Sequence, residues 1–328
     1  VTNQETDCAT FGLPEVAFSV FGHPRKNVYD DALNSNYKQR RADACCLPLS
    51  FARPLQGDKT MTEARMQETP DYKPGTFCWV ELGTTDGEAA KKFYTELFGW
   101  SFSDSPVGPG MVYTMLKLEG KDVGALYQMP SEMASQGIPP HWLSYASVTS
   151  ADESAAKARE LGATLMKEPF DVMTVGRMAV IQDPTGAVFA IWQAGTTKGA
   201  GIVNVPNSFC WNELSTSDTE KGGEFYTGLF GWGKNVQQMG PMTYTSFMNG
   251  DRPAGGMYKP GPEMGNVSPH WLVYFAVDDT DAKLNKANEL GGKTLSPAMD
   301  IPGTGRFAVI QDPQGAVFGI IKLDSPPS

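Results

Sequence analysis

Two copies of Trp-x-Glu, at Trp79–Glu81 and Trp211–Glu213, and two of Pro-His-Trp, carrying His141 and His270, hold the groups of this sequence best suited to chemistry. Side chains alternate along a strand, so Trp79 and Glu81 share one face of FCWVEL. His141, Leu143 and Tyr145 likewise share a face, and Trp211, Glu213, His270, Leu272 and Tyr274 repeat the set. A carboxyl and an imidazole brought to one cleft admit two readings: a general acid/base pair, or buried polar groups that satisfy each other's hydrogen bonds. Glu81, His141, Glu213 and His270 are therefore the candidate catalytic groups. Trp79, Trp192 and Trp211 offer flat walls for an aromatic ligand, and core packing accounts for them equally well. Tyr145, Tyr274, Arg177 and Arg306 complete the candidate ligand contacts. Each arginine follows a glycine where a strand begins and is able to anchor a carboxylate, although an exposed or turn-capping arginine is the commoner case.

Other chemistries find little support. A metal site relocated onto Glu and His would need a third donor that the pattern does not supply. The five cysteines lack paired metal-ligand spacing, and Cys78 and Cys210, which recur at matching places, read as small buried residues. No nucleophilic Ser/His/Asp set, phosphate-cradling glycine loop or dinucleotide fingerprint is present. QDPTG and QDPQG spell tight turns, which gives Asp183 and Asp312 a structural role. With a net charge of −10 and no basic run, the chain is expected to repel nucleic acid. It has no apolar stretch of roughly 20 residues that would span a bilayer. A cytoplasmic protein with a small-molecule partner is the expectation.

The elements that must position these groups come from a duplication. FCWVELGTTD from Phe77 matches FCWNELSTSD from Phe209, the LFGW ending at Trp100 matches that ending at Trp232, and GRMAVIQDPTGAVFAI matches GRFAVIQDPQGAVFGI. Domains are placed at 72–195 and 204–324, joined by a Gly/Thr/Lys-rich linker at 196–203. Residues 1–71 match neither copy and are read as a disordered or artefactual leader, with Met61 as the natural start. Within a copy, the strand FCWVEL precedes a helix capped by Asp86, with an apolar stripe through Phe93, Tyr94, Leu97 and Phe98 and a stop at Gly99. Three short strands follow, then a Pro/Gly/Met-rich loop at 129–140 (259–269 in the second copy) able to act as a lid, and then the same order again. Each copy is thus two βαβββ modules, an α+β arrangement.

Strand, D-x6-FY helix, LFGW and late DP-x-G turn together resemble the glyoxalase/bleomycin-resistance/extradiol-dioxygenase superfamily of vicinal oxygen chelate proteins. The resemblance implies two tandem domains, each an incomplete barrel around a cleft that often holds a divalent metal. It also implies where the metal ligands would stand: Trp79 or Trp211 on the first strand, Leu143 or Leu272 on the fifth, and Ala190 or Gly319 on the last. None of these side chains can ligate, so no metal is assigned and no cofactor is expected. Two functions stay open, a sequestering protein for a small carbonyl or aromatic molecule, or a lyase, isomerase or hydroxylase-like enzyme using the Glu/His groups. The partner is a small molecule, with the chain a pseudo-symmetric monomer or a homodimer.

Overall fold

The computed structural model describes residues 72–325 apart from residue 266, so the readings of the leader, of Met61 and of the first three cysteines lie outside the described residues. In the first copy the order is β1 (Phe77–Thr84), α1 (Gly87–Phe98), β2 (Ser101–Gly108), β3 (Met111–Leu118), β4 (Lys121–Gln128), a short α2 (Ser131–Ser135), β5 (His141–Ser147), α3 (Ala151–Glu160), β6 (Thr164–Val172), β7 (Gly176–Gln182) and β8 (Val188–Ala194). The second copy repeats it with β9 (Phe209–Ser215), α4 (Thr219–Phe230), β10 (Gly233–Met239), β11 (Met242–Asn249), β12 (Arg252–Tyr258), β13 (His270–Ala276), α5 (Thr280–Glu289), β14 (Lys293–Ile301), β15 (Gly305–Gln311) and β16 (Val317–Leu323). Each copy forms one eight-stranded sheet, ordered β2-β3-β4-β1-β5-β8-β7-β6 and β10-β11-β12-β9-β13-β16-β15-β14. The antiparallel pairs β1–β5 and β9–β13 join the two modules within a copy, so modules pair inside their own domain.

Local signals behave as their chemistry dictates. Asp86 caps α1 by accepting the Ala89 N–H, and Gly99 ends it in the left-handed conformation. The helix has Ala90, Phe93, Tyr94, Leu97 and Phe98 buried, a stripe that must be covered by something. Much of the cover comes from the other copy: Phe93 meets Phe318, and Phe98 meets Phe275, with ring centroids 6.4 and 5.1 Å apart. Phe225 and Tyr226 of α4 reciprocate against Phe189 of the first copy, at 6.2 and 5.4 Å. The apolar cores are accordingly shared between domains rather than enclosed by each.

Hydrogen bonds cross the same boundary. Tyr94 accepts from the Trp142 indole at 3.0 Å and donates to Oδ2 of Asp312 at 2.9 Å. Tyr226 accepts from Trp271 at 2.7 Å and donates to Oδ2 of Asp183 at 2.9 Å. The other oxygen of each aspartate holds its turn: Asp183 Oδ1 accepts the N–H groups of Thr185, Gly186 and Ala187, and Asp312 Oδ1 those of Gln314, Gly315 and Ala316. Trp100 donates to the Asn207 carbonyl, and Trp232 to that of Gly75.

The segment read as a linker turns out to be packed. Its Ala200 N–H bonds the Cys78 carbonyl at 2.8 Å, Gly201 N–H bonds the Asp122 carbonyl at 2.7 Å, and Ala200 and Ile202 are buried. Gly199, at φ +146°, lies so close to β1 that a Cβ would fall 2.4 Å from the Cys78 carbonyl oxygen. In the loop read as a lid, Met133 is buried on α2, whereas Met264 is exposed. No helix among the described residues is long and apolar enough to cross a membrane.

Candidate functional site

Register decides which side chains meet. Across β1 and β5, Trp79 faces Tyr145, Glu81 faces Leu143 and Gly83 faces His141. On the other flank Glu81 lies beside Ala125 and Gly83 beside Tyr127, and Tyr127 in turn pairs with Tyr113. Neighbours in a ladder point to the same side, so these groups gather on one face of the sheet. The second copy assembles Trp211, Glu213, Tyr274, Leu272 and His270 in the same register.

The Glu81 carboxyl takes two phenols. Tyr113 donates to Oε2 at 2.6 Å and Tyr145 to Oε1 at 3.1 Å. Around Glu213, Tyr244 donates at 2.9 Å and Tyr274 at 3.0 Å. The Trp211 indole N–H donates onward to Tyr244 at 3.0 Å, and Trp79 holds the matching place beside Tyr145 in the first copy. Indole, phenol and carboxyl thus form a short relay in the second cleft, in which every donor polarises the next, and the first cleft shares its two phenol-to-carboxyl bonds. Burial raises the pKa of both glutamates, opposed by the two phenols that favour the carboxylate. Burial and the neighbouring carboxyl together raise Tyr113, Tyr145, Tyr244 and Tyr274 well above the usual phenol value, so all four stay protonated donors.

His141 and His270 are on the expected face, yet neither is a hydrogen-bond partner of its glutamate. Nδ1 of His141 lies 2.8 Å from the Pro139 carbonyl, and that of His270 lies 2.8 Å from the Ser268 carbonyl. A carbonyl only accepts, so Nδ1 carries the proton and Nε2 is the basic atom. Burial lowers both imidazole pKa values. The Glu/His pairs expected from the strands are diagonal neighbours across the ladder, a spacing of about 7–8 Å.

Trp192 packs edge-on to Tyr145 at 6.5 Å, and its indole N–H is fixed on the Thr197 carbonyl. The ring lies over Gly176, where a Cβ would come within 2.3 Å of it. Arg177 is turned the other way. It makes a two-point ion pair with Asp152 on α3 and a further one with Asp171, and Arg306 does the same with Asp281 and Asp300. Strand alternation puts both arginines on the helix side of the sheet, so the structure does not bring them into the clefts. Cys78 and Cys210 have their thiols pushed up by burial, which leaves them protonated and unreactive at neutral pH. Tyr113, Tyr127, Tyr244 and Tyr258 were not singled out from sequence. The matched stretches MVYT and MTYT, and the tyrosines of LYQ and MYK, were the signal that would have found them.

Two βαβββ modules joined into one eight-stranded sheet with a polar cluster on one face, present twice, define a tandem α+β protein of duplicated domains. The family model described as "Glyoxalase/Bleomycin resistance protein/Dioxygenase superfamily" matches residues 76–191 and 208–320, and the chain belongs to that superfamily. It is 42% identical over 259 residues to "Putative glyoxylase CFP32" of Mycobacterium tuberculosis, covering 78% of this chain and 98% of that protein. It is 36% identical over 265 residues to "Anthracycline biosynthesis protein DnrV" of Streptomyces peucetius, covering 77% and 94%. Among solved structures, the Mn(II)-bound glyoxalase from Novosphingobium aromaticivorans superposes with a TM-score of 0.56 at 16% identity, covering 78% of this chain and 84% of that one. The 2,3-dioxygenase LapB from Pseudomonas sp. KL28 gives 0.56 at 11% identity, covering 78% and 95%. These two share the fold.

A divalent ion at the family position would need oxygen or imidazole donors on the first, fifth and last strands. The positions that the family resemblance implies hold Trp79, Leu143 and Ala190 in one copy, and Trp211, Leu272 and Gly319 in the other. Among the described residues no group of three or more His, Cys, Asp or Glu converges, and the glutamate oxygens already accept phenol hydroxyls. The donor set of these clefts does not fit such an ion.

Proposed function

We propose that each half-barrel binds a planar aromatic molecule bearing hydroxyl or carbonyl oxygens, without a metal. The observation that carries this reading is the Tyr–Glu–Tyr arrangement beneath an indole wall, built twice. A flat apolar body is accommodated by Trp79 and Trp192, or by Trp211, together with Leu143 or Leu272. A ligand phenol can replace a tyrosine as donor to the glutamate, and a ligand carbonyl can accept from the displaced tyrosine. The relative named for anthracycline biosynthesis supports an aromatic, oxygenated ligand class. Binding and sequestration need nothing further from the chain. Turnover by Glu81 or Glu213 with His141 or His270 would require a ligand to bridge carboxyl and imidazole, since the two do not touch.

Titration with alizarin sulfonate, a planar dihydroxyquinone, tests the reading by visible absorbance and tryptophan quenching after dialysis against a chelator. Two equivalents are expected to bind, with one lost in Glu81→Gln, one lost in Glu213→Gln, and no consumption of the probe. Binding that vanishes on metal removal, or that is unaffected in the double variant, would refute it.

A further inference from the structure

The two clefts share their Tyr–Glu–Tyr cluster and differ at the end of the row that carries it. β1 finishes the row Trp79, Glu81 with Gly83, whereas β9 finishes Trp211, Glu213 with Ser215. Ser215 stands across the ladder from His270 and beside Tyr258. Its side chain is 1% exposed, and its Oγ has no hydrogen-bond partner. Buried hydroxyls are otherwise satisfied in folded proteins, and one left unpaired lowers stability with no return to the fold. The matching point of the first copy shows what surrounds it: a Cβ on Gly83 would lie 3.1 Å from the Tyr127 hydroxyl, 3.2 Å from Met129 Cγ and 3.3 Å from the His141 ring. By the duplication, Ser215 stands at the corresponding point of its own cleft, beside Tyr258 and across from His270, with its hydroxyl bonded to neither. The apolar walls diverge as well. Trp192, Met178 and Ala190 of the first cleft correspond to Ile321, Phe307 and Gly319 of the second, and Tyr274 leans into the space left by Gly319, where a Cβ would meet its ring at 2.3 Å.

We propose that Ser215 is a ligand anchor that the first cleft lacks, so that the two clefts are not equivalent. The second takes an aromatic ligand with an oxygen at the end next to His270, which hydrogen-bonds Ser215 Oγ; the first takes a ligand whose corresponding end is flat and apolar against Trp192. This rests on the aromatic-ligand reading above and specifies the ligand that each site selects.

Calorimetric titration of the full chain with alizarin sulfonate separates the two claims. In the Glu81→Gln background, which leaves the second cleft, Ser215→Ala is expected to weaken binding about tenfold, the loss of one hydrogen bond to a buried partner. In the Glu213→Gln background, which leaves the first cleft, Ser215→Ala is expected to change nothing. Ser215→Thr, which restores a hydroxyl, is expected to recover part of the lost affinity. Equal affinities in both backgrounds with no effect of Ser215→Ala would overturn the anchor while leaving the aromatic-ligand reading standing. Absence of binding by the unaltered chain would overturn both.

Discussion

The Tyr94 hydroxyl of the first copy donates to Asp312 of the second across 218 residues of sequence, at 2.9 Å, and Tyr226 returns the contact to Asp183. Each phenol is also the acceptor of a tryptophan indole that follows a cleft histidine, Trp142 after His141 and Trp271 after His270. The floor of one cleft is thereby tied to a turn of the other domain.

Replacing Tyr94 by Phe removes a hydrogen bond to a buried carboxyl and leaves the Trp142 indole without its acceptor. A loss of about 1.5–3 kcal/mol is expected, seen as a fall of about 2–4 °C in Tm per kcal/mol for domains of this size. Because the cores are shared, calorimetry is expected to show one unfolding transition in both the parent and the variant. Two separated transitions would contradict the shared core.

The buried glutamates make stability depend on pH in a definite direction. Their folded pKa values lie above the ordinary 4.5, so the unfolded chain releases these protons first as pH rises. The stability they contribute is complete below about pH 4.5 and is lost as pH climbs through the raised folded values. His141 and His270, lowered from 6.5, act oppositely, and their contribution is lost as pH falls below that value. Urea midpoints of the Glu81→Gln/Glu213→Gln double variant are expected to lose the alkaline-side decline that the parent shows. An unchanged pH profile would mean that the two carboxyls titrate normally.

Gly176→Ala places a methyl group inside the Trp192 ring position. The indole must swing, with a blue or red shift in tryptophan emission, and the first cleft is expected to lose its aromatic ligand while the second keeps its own. Retention of both equivalents would show that Trp192 is packing alone.

Arg177→Ala and Arg306→Ala break ion pairs that are exposed on the helix side of each sheet. Such pairs are screened by water and salt, so the expected effect is a small, salt-sensitive loss of stability and unchanged ligand affinity. Weakened binding by either variant would restore them to the cleft.

Much of the architecture was legible because its determinants are local. Alternation in FCWVEL, the Asp86 cap and the Gly99 stop each act within a few residues, and the duplication doubled every signal. The face on which Glu81, His141 and Tyr145 stand followed from period two alone. What that face does was harder to read, because Tyr113 reaches Glu81 from a strand two positions away in the sheet, and no spacing in the chain encodes that neighbour. The same holds for Asp183 and Asp312. Their turn-forming oxygen was evident from DP-x-G, but the second oxygen serves a tyrosine in the other copy. The arginines misled for a simpler reason: a Gly-Arg pair at a strand start does not say which side the guanidinium takes, and Asp152 and Asp281 on the helices decided it. The linker at 196–203 was read from its composition, which does not tell that Gly199 and Ala200 pass close along β1.

That packed segment has a consequence for how the duplicated domains can differ. With Gly199 pressed against Cys78 and the cores interleaved, the halves are fixed in one relative pose, and joint residues such as Tyr94 and Asp312 bear on both clefts at once. Gly83 and Ser215, or Trp192 and Ile321, bear on a single cleft each. Inheritance of the two sites is thus asymmetric in its tolerances: substitutions in the walls are private to one site, whereas substitutions in the joint are held in common, which lets two specificities diverge within one indivisible fold.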